Sequence, residues 1–212
     1  MKANIVLLVL GFAALEASHA LATEEAAYEL VLADGGVEIR GYESSIVAET
    51  VVDDDFEGAG NRAFRKLFQY IDGNNVSREE IAMTAPVSQA RSEKIAMTSP
   101  VAQQAAAGGW AVSFMMPSTY TMDTIPKPLD DAVVIRQIPA YRAAAIRYSG
   151  FWSEEKYLEH LEKLNQWIDG NGYEPLGEPV WARYDPPFKP WFMRRNEILI
   201  PVGETGAGPN LK

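Results

Sequence analysis

Gln69-Tyr70-Ile71-Asp72-Gly73-Asn74 returns as Gln166-Trp167-Ile168-Asp169-Gly170-Asn171, at an offset of 97 residues. Each copy closes an amphipathic segment. Phe56, Ala59, Ala63, Phe64, Leu67, Phe68 and Ile71 fall at helical spacing, which predicts a helix over about 56–72. Asp53 to Asp55 offer it an N-cap and a favourable first-turn charge, and Asp72-Gly73 stops it. Tyr157, Leu158, Leu161, Leu164 and Ile168 predict a second helix over 153–168, capped by Ser153 and stopped by Asp169-Gly170. At the same offset Leu67 meets Leu164 and Ala48 meets Ala145. Both helices follow β-rich sequence, Ile46 to Val52 and Tyr141 to Tyr148, and both precede strand-like sequence. This pattern constrains the chain to two strand–helix–hairpin units, an α+β fold with a mainly antiparallel sheet.

A shorter echo is nested inside the first unit. Ile81-Ala82-Met83-Thr84-Ala85-Pro86-Val87 recurs as Ile95-Ala96-Met97-Thr98-Ser99-Pro100-Val101, fourteen positions on. That spacing suits the two arms of a hairpin. Ile, Met, Ala or Ser, and Val alternate and share one side of a strand, with the Thr84 or Thr98 hydroxyl on the other. Pro86 and Pro100 cannot donate to a ladder, so each arm is expected to end, bulge or form an edge there. Further strands are expected at 28–32, 37–42, 110–116, 133–138, 180–184 and 197–202, with a loop over 118–131.

Residues 1–22 read as a secretory signal. Lys2 precedes an apolar stretch from Ile5 to Leu15, and Ala20-Leu21-Ala22 has the small–x–small pattern of a cleavage site. The stretch is too short to span a bilayer, so export to the periplasm or the extracellular space is expected, without stable membrane insertion. One domain over 23–202 and a loose Gly-rich tail over 203–212 complete the organisation. The net charge of −10 argues against nucleic acid or an anionic membrane as partner, because the chain repels phosphate. The chain has no cysteine, which removes disulfides, Fe–S clusters and thiolate nucleophiles.

Motifs of catalysis are sparse. Outside the signal the only histidine is His160, mid-helix beside Tyr157, Leu161 and Leu164. This excludes a multi-histidine metal site and leaves His160 only as a weak heme-ligand candidate against a packing role. There is no Gly-rich phosphate loop and no Gly-x-Ser-x-Gly. Met83, Met97, Met115 and Met116 lie on expected strands and read as wall residues rather than a ligand set. Tyr184-Asp185-Pro186-Pro187-Phe188-Lys189-Pro190-Trp191-Phe192-Met193-Arg194-Arg195 is a stiff aromatic loop feeding two arginines into the last strand. It reads equally as a pocket closure with arginine meeting a ligand carboxylate, or as a rigid connection capped by an Arg–carboxylate pair.

Taken in order, Val37-Glu38-Ile39-Arg40-Gly41-Tyr42, Tyr70-Ile71-Asp72-Gly73, the Met-Thr-Ala-Pro-Val strand, Phe114-Met115-Met116-Pro117, Gly150-Phe151, Tyr184-Asp185-Pro186-Pro187 and Arg194-Arg195-Asn196-Glu197 resemble the SOUL family of heme-binding proteins. The resemblance implies a distorted antiparallel β-barrel with two helices, built from a duplicated βαββ unit and similar to bacterial effector-binding domains. It implies non-enzymatic, reversible binding of heme or a metal-free porphyrin, without strong histidine ligation. Where one branch of the family has a heme-ligating histidine, this chain has Gly41. In another branch the ring lies on the first helix with basic residues near its propionates; Phe68 fits, while Asn61 and Gln69 are uncharged and Arg62, Arg65 and Lys66 stand nearby. The binding residues implied are Arg65, Leu67, Phe68, Ile71, Arg194 and Arg195. Alternatives are a barrel that binds or hydrolyses another amphipathic small molecule, with Glu197, Tyr184 and Tyr148 as candidate groups, or one that mediates protein contacts.

Overall fold

The computed structural model describes residues 23–78 and 92–205. Residues 1–22, expected to be a signal, the first arm of the short repeat and residues 206–212 lie outside the described residues. In chain order the elements are β1 (Glu24–Glu25), β2 (Tyr28–Asp34), β3 (Val37–Tyr42), β4 (Ser45–Val52), α1 (Phe56–Ile71), β5 (Asn75–Val76) and β6 (Thr98–Ser99). There follow β7 (Val101–Ala106), β8 (Gly109–Met115), β9 (Lys127–Pro128), β10 (Val134–Ile138), β11 (Tyr141–Tyr148), α2 (Glu154–Gly170), β12 (Tyr173–Pro175), β13 (Val180–Arg183), a 3-10 turn at Trp191–Met193 and β14 (Asn196–Glu204).

Ten strands form one antiparallel sheet in the order β10-β4-β8-β7-β13-β14-β11-β3-β2, with β12 beside β13 on the same edge of β14. The expected barrel is not what is observed: no pairing among the described residues joins β10 to β2, so the sheet is open. Its two ends are strands with little cover, and β2 is exposed along its whole length. Outward from the central β7–β13 pair the order is β8, β4, β10 on one side and β14, β11, β3 on the other. β3 and β10 are exchanged between the two sides. β3 leads into β4 but pairs with β11, and β10 leads into β11 but pairs with β4.

Both helices lie on one face of this sheet. The Asp55 side chain accepts from the Gly58 amide at 2.6 Å and caps α1; Ser153 caps α2 through the Lys156 amide. α1 buries Phe56, Ala59, Ala63, Leu67 and Ile71, and most of this stripe packs with Val112, Phe114 and Met116 of β8 and its end. Phe56 turns instead to the core of α2, where Tyr157, Leu164 and Ile168 meet Ile198, Ile200 and Val202 of β14. Each buried Leu or Ile contributes about 1.5–3 kcal/mol, so these stripes hold the helices far more strongly than the caps do. α2 runs two residues past its expected end, to Gly170, and is stopped at Asn171-Gly172.

The second arm of the short repeat departs from its expected alternation. Ile95 is buried while Met97 is 41 % exposed, and Thr98 rather than Met97 turns inward, its hydroxyl donating to the Met115 carbonyl. The strand does break at Pro100, between β6 and β7, as the missing amide requires. β6 pairs in parallel with β1, and β7 with β8 and β13.

Two glycines are required by close approach. Gly60 of α1 faces the buried Arg183 guanidinium, where an added Cβ would lie 2.5 Å from Nη1. Gly109 opens β8 at φ +127°, and a Cβ there would meet the Val52 carbonyl oxygen at 2.2 Å. The Gly109→Ala variant is therefore expected to lose about 2–3 kcal/mol of stability. Denaturant unfolding will show this as a lower midpoint at unchanged slope.

Candidate functional site

The face of the sheet opposite the helices is organised by one buried carboxylate. Glu197 of β14 is fully buried. Arg40 of β3 donates to it from Nη1 at 2.6 Å and Nη2 at 3.3 Å, Arg195 from Nε at 2.9 Å, and the Tyr184 hydroxyl at 2.9 Å. β11 lies between β3 and β14, so Arg40 reaches across a whole strand. It can do so because β11 presents only Ala143 and Ala145 there. Arg40 is held from its other side by Glu38 at 2.7 Å and lies over the Tyr28 ring, and Arg195 lies 3.7 Å from the Tyr184 ring centre.

Burial alone would push the Glu197 carboxyl up, but Arg40 and then Arg195 outweigh it and hold it below the usual carboxylate range. Burial alone would lower the Arg40 guanidinium, and Glu197 and Tyr42 reverse that. Glu197 is thus ionised, with both oxygens bonded. It serves as a charge anchor and has no proton to give at neutral pH.

Above this anchor lies a cavity of about 770 Å³, within the roughly 300–1,000 Å³ typical of small-molecule sites. Its floor includes the small side chains of Ala102 and Ala182 together with Leu199 and Val180, and Tyr42, Tyr120, Tyr141, Tyr184, Met115, Met116 and Met122 surround it. Burial pushes the Tyr42, Tyr141 and Tyr184 phenols up, so they are neutral. The strap of residues 24–27 closes one side. It is held by the two-residue β1–β6 ladder, by the Ser118 amide donating to Glu24 at 2.9 Å and by Arg195 Nη1 meeting Glu25 at 2.7 Å. Glu25 is half exposed, so that pair is worth at most about 1 kcal/mol.

The family model for the SOUL heme-binding protein matches residues 23–201. The chain belongs to the SOUL family. Among its relatives, Heme-binding protein 1 of Xenopus tropicalis is 27 % identical over 76 % of this chain and 80 % of its own length. Heme-binding protein 2 of Homo sapiens is 29 % identical over 78 % of each chain. The fold is also that of the EcmrR C-terminal domain (TM-score 0.54, 14 % identity, 84 % of this chain and 98 % of that one). A hydrolase from Listeria innocua is similar at a TM-score of 0.51 and 8 % identity, over 79 % of this chain and 91 % of that one.

The SOUL motifs explain the anchor: Arg40 and Tyr42, Tyr184, and Arg195 and Glu197 come from three distant stretches and meet there. The six residues expected to bind are not brought to one place. Leu67 and Ile71 are closed in the core under α1. Phe68 is 44 % exposed and stacks on Phe64 at 6.0 Å, and Arg65 is exposed beside it. Arg194 is spent on the aromatic loop itself, donating to the Lys189 and Pro187 carbonyls and lying over Trp152 on the helix side. Arg195 alone reaches the cavity side. Of the candidate acid–base groups, Glu197 and Tyr184 touch, whereas Tyr148 faces α2 and stacks on His160 at 4.1 Å. The His160 Nδ1–H donates to the Lys156 carbonyl, and the ring is not among the cavity residues.

Sequence reasoning missed the strap and the tyrosine walls. The available signal for the anchor was period two: Arg40 with Tyr42, and Arg195 with Glu197, each share a face. Because the folded Glu197 pKa is depressed, its contribution is complete above the ordinary value of 4.5 and is lost as pH falls below it. At pH 7 the Glu197→Gln variant is expected to be about 3–5 kcal/mol less stable, because Arg40 and Arg195 lose their shared buried counter-charge and keep only Glu38 and Glu25. In denaturant melts from pH 7 to pH 3 that gap should narrow only below about 4.5; a constant gap would contradict the ionised anchor.

Proposed function

We propose that this SOUL protein binds heme or a related tetrapyrrole reversibly in the cavity on the helix-free face. The observation that carries the reading is the shape and chemistry of that cavity: small alanines at its floor, tyrosines and methionines around it, and a volume that takes a planar apolar ring. Affinity would come from burying the ring faces. Among the described residues no histidine lines the cavity, and burial keeps Tyr42, Tyr141 and Tyr184 neutral, so none of these offers a strong anionic iron ligand. Hemin and metal-free protoporphyrin should therefore bind with similar affinity. We also propose that the protein is exported after removal of residues 1–22, and that its halves descend from one duplicated βαββ unit.

A second reading keeps the ligand and moves it to α1. The exposed Phe68, stacked on the half-buried Phe64 beside Arg65, favours it, since it pairs an apolar platform with a cation suited to propionates. Titration separates the two. Saturable Soret and quenching changes at micromolar concentration are expected for both porphyrins, within about fivefold of each other. Ala102→Phe should weaken both at least tenfold, and Phe68→Ala with Arg65→Glu should change them by less than twofold. The reverse pattern would move the ring to α1, and no saturable change would remove the binding function.

A further inference from the structure

The cavity is lined at its mouth by Glu24, Glu25 and Glu43, and no Lys or Arg lines it among the described residues. Such a mouth repels an anion. One cation, Arg195, stands directly behind the lining residue Glu25 and is already engaged on both sides, by the buried Glu197 and by Glu25 of the strap. The two engagements differ in kind. Glu197 is fully buried and shares four hydrogen bonds with its neighbours, so it stays. Glu25 is half exposed, on a strap held by a two-residue ladder and one side-chain contact to the Ser118 amide.

We infer that Glu25 is an internal stand-in for a ligand carboxylate: an acid-bearing ligand binds by displacing the strap and taking Glu25's place on the Arg195 guanidinium. Displacement removes two of the three mouth carboxylates and frees one cation, so it converts an anion-repelling mouth into an anion-accepting one. A neutral ligand gains nothing from it. The strap thereby sets both the admission of acidic ligands and the point at which their carboxylate is held. The fork of Arg195 leaves Nη1 for the incoming carboxylate while Nε remains on Glu197. This inference rests on the cavity being the tetrapyrrole site.

The test compares protoporphyrin with its dimethyl ester, in the same dilute co-solvent, on the full chain and on the exposed, fold-neutral Glu25→Gln variant. Glu25→Gln is expected to tighten the diacid at least fivefold and to leave the ester within twofold. Hydrogen exchange gives an independent readout. The Ser118 amide loses its Glu24 partner when the strap departs, so the diacid and not the ester should speed exchange in a peptide containing Ser118. If both porphyrins bind and Glu25→Gln moves them equally or not at all, the strap is not a stand-in and the cavity reading survives. If binding of both is untouched by Ala102→Phe, the cavity reading falls and this inference with it.

Discussion

The architecture of the helix-free face depends on one interaction, the buried Glu197 carboxylate held between Arg40 and Arg195. Removing three charges from water is costly, and such a cluster is no guarantee of net stability. What it supplies here is geometry. Arg40 ties β3 to β14 across β11, Tyr184 is fixed at the end of β13, and Arg195 is aimed toward the strap. Replacing Ala143 or Ala145 of β11 by a larger residue would obstruct that crossing, which explains why β11 carries alanines rather than branched side chains on this face.

The helices stabilise the opposite face and leave the cavity face free to hold a ligand. Phe56, Leu67, Leu164 and Ile168 account for much of the apolar burial, and none of them lines the cavity. The buried Arg183, lowered by its burial to about 10, stays on the helix side, between Gly60 of α1 and the rings of Trp181 and Trp152. Cations of the two faces are therefore separate. Arg183 docks a helix, and Arg195 governs the mouth of the cavity.

Most elements were legible because local periodicity and caps agree with the fold. The limits of β3 and β11 match their alternation, and Asp55 and Ser153 cap the helices as their positions suggest. β7 was not legible: Val101-Ala102-Gln103-Gln104-Ala105-Ala106 has little β-branching, and its buried Gln103 is satisfied by the Phe56 carbonyl from far along the chain. The open sheet was hidden for a similar reason, since closure would need β10 to meet β2, two strands far apart in sequence. The site was only partly legible. Arg194 and Arg195 are neighbours in sequence, but neighbouring residues of an extended chain point to opposite faces, and only Arg195 turns to the helix-free face, where it meets Glu197 and Glu25. Leu67 and Ile71 belong to the stripe that packs α1 on the sheet, and a residue spent on the core has no surface left for a ligand. Nothing local in the sequence announces that Glu25 meets Arg195, because that contact spans 170 residues.

The central claim is that a tetrapyrrole ring lies in the tyrosine-walled cavity above this anchor. Methyl NMR of the protein titrated with metal-free protoporphyrin tests it most directly, because a bound ring shifts nearby methyl resonances by its own ring current. The account predicts saturable shifts at the methyls of Ala102, Met115, Met116 and Leu199, with Ala63 and Leu67 under α1 unmoved. Saturable shifts confined to α1, with the cavity methyls unchanged, would contradict it.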